Sequence, residues 1–377
     1  MTVLRHVAFC GGGSGGHLVP ALALAQELLT QQPEIQLTFL VSARSIDRTI
    51  LESAGLPADH VRIVVQPLVS SRGRLRFAFQ CLRAFRQCWS QFRSAPPDIV
   101  VGLGGFASLP GGVAAVLQKR PLVLMEPNVI PGVANRLLSR WAAKTLSGWP
   151  MDPNQRRTWK SPIQDIGVPL RSGGLTFVTS SAGSSVPPGG SGRKLLIIGG
   201  SLGASQLNQI VIETLGQCEF LQNGWQVVHQ TGLADRESVA AASSHWPFPV
   251  TVTEFLPDLP AQLASADIVI SRCGAVTLAE IAEAGVAAIL IPLKTATDGH
   301  QTANAVLFAN RQAAVIVNET DPAAAQQLRN QLHRLTTSEA ERRAMAFCVT
   351  QLRRPYAVRD AVDSICERSK PPESLPG

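Results

Sequence analysis

The sequence has no aspartate or glutamate between Asp59 and Asp98, and this gap is its most unusual local feature. The net charge of the whole chain is +7. Seven arginines fall within the acid-free segment: Arg62, Arg72, Arg74, Arg76, Arg83, Arg86 and Arg93. The excess of positive charge is therefore local, which predicts an anionic partner for this segment and argues against a generally basic protein.

Other patterns are missing as well. The seven cysteines are odd in number and form no CxxC pair or Cys/His metal spacing, which predicts single thiols in a reducing compartment. No apolar run reaches the roughly 18–20 residues of a membrane-spanning helix, and Arg5 and His6 interrupt the N-terminal apolar run before it could form a signal peptide. We expect a protein in the cytoplasm or on the cytoplasmic face of a membrane.

Two motifs of nucleotide and metal chemistry are also absent. The chain has no GxxxxGK[ST] sequence, which counts against a P-loop ATPase. It has no DxD sequence, so we expect no essential metal. We likewise expect no cofactor and no nucleic-acid partner.

Two glycine-rich turns are the most informative feature that is present. Gly11–Gly16 follows the aliphatic run His6–Cys10, and Gly199–Gly203 follows Lys194–Ile198. A strand, a glycine turn and a helix in this order direct backbone N–H groups and a helix dipole at an anion. One such turn near the start of each half predicts an α/β protein with two Rossmann-like, doubly wound parallel-sheet domains that face each other across a cleft.

Aliphatic runs followed by glycine or proline predict the strands of these sheets. The predicted strands, besides those before the glycine turns, are Leu37–Val41, Val61–Val65, Ile99–Val101, Leu122–Met125, Gln226–His229, Val250–Val252, Ile268–Ile270 and Ala288–Ile291. We predict a first domain over residues 1–168 and a second over 169–352. A helix at about 353–368, separated by Pro355 from the helical stretch before it, is expected to return to the first domain.

Polar residues in the first half fall at the predicted ends of strands. His17 closes the first glycine turn, a third turn at Gly102–Phe106 follows the strand at Ile99, and Glu126 and Asn128 end the next strand. Because carboxyl ends of parallel strands share one edge, we expect these groups to lie together. His17 is a candidate general base, and the alternative is a helix-entry residue that hydrogen-bonds the turn.

The first turn also matches GxGxxG, the dinucleotide-binding pattern. The acidic residue that this pattern requires after the second strand is replaced by Ser42-Ala43-Arg44. The sequence therefore disfavours a dinucleotide site.

In the second half, Ala275, Val276 and Thr277 open a helix after the strand at Ile268, where a diphosphate could bind without a metal. Glu280 lies about one turn further on and could accept hydrogen bonds from a ribose diol. An ordinary exposed helix carboxylate is the alternative. Gln301 and Asn304 are three apart, so a helix would place both amides on one face toward a sugar, although a polar first turn explains them equally well.

A predicted helix in the acid-free segment carries an aromatic stripe between its arginines. Phe79, Leu82, Phe85 and Trp89 recur at steps of three and four residues. Such a helix suits the interface of an anionic membrane, to which each arginine would contribute roughly 1 kcal/mol. The alternative is that the stripe faces the protein core.

Taken together, the motifs resemble the MurG family of bacterial N-acetylglucosaminyltransferases. The matching segments occur in the family's order: GGGSGGHLVPALALAQEL, VVGLGGFASLPGGVAA, MEPNVIPGVANRLL, GVPLR, GGSLGASQLN, VTEFLPDL, RCGAVTLAEIAEAG and DGHQTANA. An ordered set of this kind is far more specific than any single glycine turn. The resemblance implies the GT-B type of glycosyltransferase fold.

The resemblance also implies roles for individual residues. Those implied for the UDP-N-acetylglucosamine donor are Arg171, Ser201, Leu256, Ala275, Val276, Thr277, Glu280, Gln301 and Asn304. The remaining substrate-binding positions are Ser14, Gly15, Gly16 and Asn128, with the acceptor pyrophosphate near the first three. His17 is the first candidate for the general base and Glu126 the second, an order that the sequence does not fix firmly.

The implied reaction is an inverting transfer of N-acetylglucosamine to the C4 hydroxyl of the muramoyl sugar of lipid I, which gives lipid II for peptidoglycan synthesis. The implied partners are UDP-N-acetylglucosamine, lipid I and an anionic membrane surface. The alternatives are a related glycosyltransferase with a diacylglycerol acceptor, a UDP-N-acetylglucosamine 2-epimerase, and a nucleotide-sugar-binding protein without activity.

The chain departs from the family pattern at several positions. Ser14 replaces a threonine and keeps the hydroxyl, whereas Met125, Pro127 and Leu202 replace polar residues, so we expect the polar contacts of those side chains to be missing. The serine-rich stretch 176–192 has no counterpart.

Overall fold

The structure is a computed structural model that describes residues 3–12, 15–68, 74–171, 193–199, 204–256, 258–294, 296 and 299–367. The chain divides into two compact units. The first comprises Met1–Ser172 together with Arg354–Gly377, and the second comprises Gly173–Arg353.

A seven-stranded parallel sheet forms the centre of the first unit, in the order β3-β2-β1-β4-β5-β6-β7. Its strands are β1 (His6–Gly11), β2 (Gln36–Val41), β3 (Val61–Val65), β4 (Ile99–Gly104), β5 (Leu122–Glu126), β6 (Lys144–Ser147) and β7 (Ile163–Asp165). The register of β1 and β2 places Phe9 opposite Phe39, with ring centroids 5.0 Å apart. The strand order reverses between β1 and β4, which is where open α/β sheets bind ligands.

Helices cover this sheet because every crossover between parallel strands must leave and rejoin the sheet. They are α1 (Gly15–Gln31), α2 (Ser45–Glu52), α3 (Arg74–Ser94), α4 (Ser108–Leu117), α5 (Val133–Leu138), α6 (Pro153–Thr158) and, from the end of the chain, α14 (Ala357–Cys366). Helix α14 packs against α1. Lys144 of β6 donates from Nζ to the backbone oxygen of Ser364 (2.7 Å), which fastens the last turn of α14 to the sheet.

The second unit repeats the arrangement with a six-stranded parallel sheet in the order β10-β9-β8-β11-β12-β13. Its strands are β8 (Arg193–Ile198), β9 (Trp225–Gln230), β10 (Val250–Thr253), β11 (Ile268–Ser271), β12 (Ala287–Leu290) and β13 (Ala314–Ile316). Its helices are α7 (Ser205–Leu215), a short 3₁₀ helix (Glu219–Gln222), α8 (Arg236–Ser243), α9 (Leu259–Ala264), α10 (Ala275–Ala284), α11 (His300–Ala309), α12 (Ala324–Thr337) and α13 (Glu339–Thr350). The strand order reverses between β8 and β11.

The prediction of two doubly wound parallel-sheet α/β domains is confirmed. Every strand predicted from an aliphatic run is present, with ends that differ by at most three residues. The helical stretch around Pro355 ends as α13 and resumes as α14, as the proline predicts. Three strands were missed. The sequences of β6 and β7, KTLS and IQD, give no aliphatic run of useful length. Strand β13 lies within the aliphatic run Ala313–Val317, which the strand prediction omitted.

The aromatic stripe of α3 divides into two parts. Phe79 and Leu82 are 61% and 47% exposed. Phe85 is half-buried, packs against the core of the first unit and lies 5.7 Å from the ring of Trp89. Phe92 is fully buried. The prediction of one continuous stripe is therefore corrected, because the C-terminal half of α3 packs on the sheet and only its N-terminal half presents apolar side chains to the outside.

None of the described helices is both long enough and apolar enough to cross a bilayer.

All seven cysteines are free thiols, as their spacing predicts. Five are buried: Cys10, Cys88, Cys218, Cys273 and Cys366. Burial raises the pKa of Cys88 and of Cys218 to about 12, because a thiolate is poorly solvated in an apolar interior. These thiols therefore contribute as small apolar side chains.

Candidate active site

In the first unit, three strand ends meet around the imidazole of His17. Gly104 and Gly105, at the end of β4, have φ values of +91° and +70°, which favour glycine. A Cβ atom on Gly104 would lie 3.1 Å from His17 Cε1, and one on Gly105 would lie 2.8 Å from the backbone oxygen of Gly12. The two glycines therefore let the first and third glycine turns approach each other, with the ring of His17 against them.

Glu126 ends β5, and both of its carboxylate oxygens are engaged by hydrogen-bond donors. Asn128 donates to Oε1 from its backbone nitrogen (3.1 Å) and from Nδ2 (3.2 Å). The backbone nitrogen of Gly132 and Asn135 Nδ2 donate to Oε2, each at 3.0 Å. The side chain is buried, and this burial raises the pKa of Glu126, while the four donors oppose the rise. Its carboxylate thus organises the loop from β5 to α5.

Asn135 connects this loop to the turn that contacts His17. Its Nδ2 atom donates to the backbone oxygen of Met125 (3.0 Å) as well as to Glu126, and the side chain is fully buried. The same Nδ2 atom would lie 3.2 Å from a Cβ on Gly104. The predicted residues His17 and Glu126 therefore lie in one cluster, joined by Asn135. Asn135 was not among the predicted residues, although it falls within the MEPNVIPGVANRLL segment.

In the second unit, helix α10 begins at the carboxyl edge of the sheet with a glycine as its N-cap. Gly274 has φ −65° and ψ 140°, a conformation open to any residue. A Cβ atom there would meet only Thr277 Oγ1, at an ordinary 3.7 Å. Neither backbone strain nor packing therefore requires glycine here. The missing side chain instead leaves the start of α10 accessible, and a helix N-terminus favours an anion.

Glu280 lies in the second turn of the same helix, half-buried. Burial raises the pKa of Glu280 to about 7. No hydrogen bond or ion pair joins its carboxylate to any residue that the structure describes. A partly desolvated carboxylate is stabilised by hydrogen-bond donors, so a ligand with hydroxyl groups would suit this position.

The amides of α11 hold the loop that precedes α10. Gln301 Oε1 accepts hydrogen bonds from the backbone nitrogens of Cys273 (3.2 Å) and Leu293 (3.0 Å). Asn304 is fully buried and donates from Nδ2 to the backbone oxygen of Cys273 (3.0 Å). The structure shows that Gln301 and Asn304 hold the loop before α10 in place. Their direct contact with a sugar stays a prediction.

The other predicted substrate residues are differently placed. Ser14 and Ser201 lie outside the described residues, whereas Gly15 and Gly16 form the first turn of α1. Leu256 is buried and follows β10 by three residues. Ala275 and Val276 are buried, and Thr277 is half-buried.

Arg171 lies in the first unit, and its guanidinium is bound there. It donates from Nε to Gln26 Oε1 and from Nη2 to the backbone oxygen of Ala54, each at 3.0 Å. Its predicted contact with the donor stays a prediction. Among the residues that the structure describes, no three His, Cys, Asp or Glu side chains are grouped so that they could hold a metal ion.

Comparison with known proteins identifies the family. Residues 7–147 match the glycosyltransferase family 28 N-terminal domain, and residues 194–359 match the glycosyltransferase family 28 C-terminal domain. The "UDP-N-acetylglucosamine--N-acetylmuramyl-(pentapeptide) pyrophosphoryl-undecaprenol N-acetylglucosamine transferase" of Anaeromyxobacter dehalogenans strain 2CP-1 is 32% identical over 95% of this chain and 91% of its own length. The protein of the same name from Syntrophotalea carbinolica is 38% identical over 81% of this chain and 83% of its own length.

A solved structure agrees with these relatives. The crystal structure of Acinetobacter baumannii MurG superimposes with a TM-score of 0.73 at 28% sequence identity, and the match covers 96% of this chain and 99% of that one. The two domain matches together span both units, and the named relatives align over most of the chain. The chain therefore belongs to the MurG family of glycosyltransferases, which is built from the family 28 N-terminal and C-terminal domains.

Proposed function

We propose that the protein transfers N-acetylglucosamine from UDP-N-acetylglucosamine to the C4 hydroxyl of the muramoyl sugar in an undecaprenyl-pyrophosphoryl acceptor, with inversion at the anomeric carbon. The second unit binds the donor, and the first unit binds the acceptor. The name shared by the relatives from Anaeromyxobacter dehalogenans and Syntrophotalea carbinolica supports this assignment.

The observation that carries the proposal is the half-buried carboxylate of Glu280, which has no partner among the described residues, beside an accessible helix N-terminus. A nucleoside diphosphate supplies a ribose diol for the carboxylate and two phosphates for the start of α10. The distance along a helix from Gly274 to Glu280 is about 9 Å, at roughly 1.5 Å per residue. That span suits adjacent phosphate and ribose groups of one ligand.

The chemical step needs a base for the acceptor hydroxyl and a stabiliser for the leaving group. The hydroxyl oxygen attacks the anomeric carbon, the bond from that carbon to the diphosphate oxygen breaks, and the base takes the hydroxyl proton. Backbone N–H groups and the dipole at the start of α10 stabilise the negative charge that the departing UDP gains.

His17 is the better candidate for the base. Its imidazole is half-buried at the carboxyl edge of the first sheet, where a substrate could reach it. Glu126 is buried and already accepts four hydrogen bonds, so it would have to break them to take a proton. We therefore assign Glu126 to positioning the loop that carries Asn135.

The direct test is a transfer assay with radiolabelled UDP-N-acetylglucosamine and a short-chain lipid I analogue. We expect a labelled disaccharide on the analogue, with no label transferred to diacylglycerol. Each rival function predicts a different product. Glycosylation of diacylglycerol but not of the analogue, or formation of the 2-epimer without any acceptor, would contradict the proposal.

Gly274→Ala tests the donor site without disturbing the fold. Alanine fits the backbone conformation and the space. It lowers the entropy of the unfolded chain but is a poorer N-cap than glycine, so the two effects oppose each other and the net change in stability should be small. The added methyl group would obstruct a diphosphate at the start of α10. We expect the KM for the donor to rise roughly tenfold or more, about 1.4 kcal/mol in binding, while the melting temperature changes little. An unchanged donor KM in this variant would show that the diphosphate does not bind at this position.

We also propose that the first unit binds an anionic membrane surface through the exposed half of α3. Phe79 and Leu82 project from helix α3, which lies in the acid-free segment. Cζ of Arg83 lies 6.0 Å from the centroid of the Phe79 ring. Exposed apolar side chains with neighbouring arginines suit the headgroup region of anionic lipid. A peripheral position there would bring the enzyme to a lipid-linked acceptor.

Phe79→Ser combined with Leu82→Ser should reduce binding to vesicles that contain phosphatidylglycerol, with little change in melting temperature because both side chains are already exposed. Phe92→Ser is the contrasting variant. It lies on the buried face of the same helix and should destabilise the fold by about 3 kcal/mol or more. Sedimentation with vesicles and thermal unfolding separate the two effects. Unchanged sedimentation of the double variant would contradict a membrane role for this surface.

A further inference from the structure

A buried ion pair lies at the carboxyl edge of the second sheet. Arg272 directly follows β11, Glu319 follows β13, and Nη1 of Arg272 is 2.5 Å from Oε2 of Glu319. The two side chains are 11% and 1% exposed. In eight other ion pairs of the chain, by contrast, at least one partner is more than a third exposed. No family motif or sequence pattern singled out Glu319.

The pair joins the loops after three neighbouring strands. Arg272 Nη1 also donates to the backbone oxygen of Ile291 (3.0 Å), beyond β12. Glu319 Oε1 accepts from the backbone nitrogen of Lys294 (2.8 Å), and Gln206 in the first turn of α7 donates to the backbone oxygen of Glu319 (3.1 Å). The loops after β11, β12 and β13 and the start of α7 are thus connected through three side chains, those of Arg272, Glu319 and Gln206.

These connections fix the residue that precedes α10. Cys273 follows Arg272 in sequence, and its backbone nitrogen and oxygen are both bound by the amides of Gln301 and Asn304. Gly274, the N-cap of α10, comes next. The position of the helix N-terminus therefore depends on the Arg272–Glu319 pair on one side and on α11 on the other.

Stability alone does not account for charges at this place. The loss of hydration on burial offsets much of the attraction, so apolar residues of similar volume often stabilise a fold as well or better. A charged hydrogen bond has a direction that an apolar contact lacks. We propose that Arg272 and Glu319 are positioning residues that hold the loops of the donor site in the geometry that binds the diphosphate. This inference rests on the proposed function.

Glu319→Gln is the test variant, because it keeps the shape and an acceptor oxygen but removes the charge. We expect the KM for UDP-N-acetylglucosamine and the Kd for UDP to rise about tenfold, as expected for one weakened charged contact. The KM for the acceptor should not change. Arg272→Lys keeps the positive charge with a different geometry and should show the same selective loss.

Lys194→Met is the matched control. Lys194 is a second buried cation of the same unit, at the amino-terminal edge of the sheet, where Nζ donates to Gln262 Oε1 (2.5 Å) and Ser265 Oγ (2.9 Å). Its loss should lower the melting temperature while donor KM and UDP Kd remain those of the unsubstituted protein. A merely structural role for Arg272 and Glu319 would give the same result as this control.

The outcomes separate the two proposals. If the unsubstituted protein fails to bind UDP in calorimetry, the proposed function itself is contradicted. If it binds UDP and both Glu319→Gln and Arg272→Lys bind it equally well, the positioning role is wrong. If Glu319→Gln does not fold, Arg272→Lys decides by the same comparison of donor KM with acceptor KM.

Discussion

His17→Ala should lower kcat by roughly 10²–10⁴-fold, the range that a positioned general base contributes. The imidazole lies against Gly104 and Gly105 at the carboxyl edge of the first sheet, and Glu126 nearby is already fully hydrogen-bonded. No equivalent base would therefore take over. Initial rates at saturating donor and acceptor measure the effect.

His60→Ala is the control for this experiment. His60 is another histidine of the first unit, beside Asp59 and ahead of β3, and its removal should leave kcat unchanged. UDP binding, assigned to the second unit, should be the same in both variants. A His17→Ala enzyme that keeps more than about a tenth of the kcat would show that another group accepts the proton.

Glu280→Ala should weaken donor binding by about 1–3 kcal/mol, the scale for losing hydrogen bonds to a charged group. The ribose diol would lose its acceptor, while the start of α10 would still face the diphosphate. Calorimetry with UDP measures the loss directly. Glu283→Ala is the matched control, because Glu283 is an exposed carboxylate of the same helix and its removal should not affect UDP binding.

The raised pKa of Glu280 predicts a pH dependence of donor binding. Because burial raises this pKa to about 7, acidification from pH 8 to pH 6 protonates the carboxylate in the free protein. If the ionised form accepts the ribose hydroxyls, the Kd for UDP-N-acetylglucosamine rises as pH falls below 7, approaching about tenfold per pH unit. The intact donor is used because the terminal phosphate of UDP itself titrates at about pH 6. Glu280→Gln should bind more weakly at pH 8 and lose this dependence. A pH-independent Kd in the unsubstituted protein would contradict the assignment.

The fold was predictable because buried parallel strands are nearly continuous aliphatic runs. Leu195–Ile198 and Ile268–Ile270 are aliphatic runs that lie between glycines and helical patterns, and such runs predict buried parallel strands. The strand Ile163–Asp165 carries the sequence IQD at the sheet edge, where neither face demands apolar residues, so its pattern could not indicate a strand.

The site was predictable only in part. Strand ends in the same sheet meet at one edge, so the proximity of His17 and Glu126 followed from their positions after predicted strands. The hydrogen-bond and ion-pair partners of each side chain could not be predicted in this way. Glu126 obtains its donors from a loop, and Arg272 pairs with Glu319 at a separation of 47 residues that no local pattern encodes.

The buried thiols described above have a practical consequence for measuring how each half of the enzyme opens. Cys10 and Cys88 belong to the first unit, and Cys218 and Cys273 to the second. A thiol reagent reaches such groups only after local unfolding exposes them. The labelling rate of each pair therefore reports the opening equilibrium of its own half, so the two halves can be followed separately in a single unsubstituted chain.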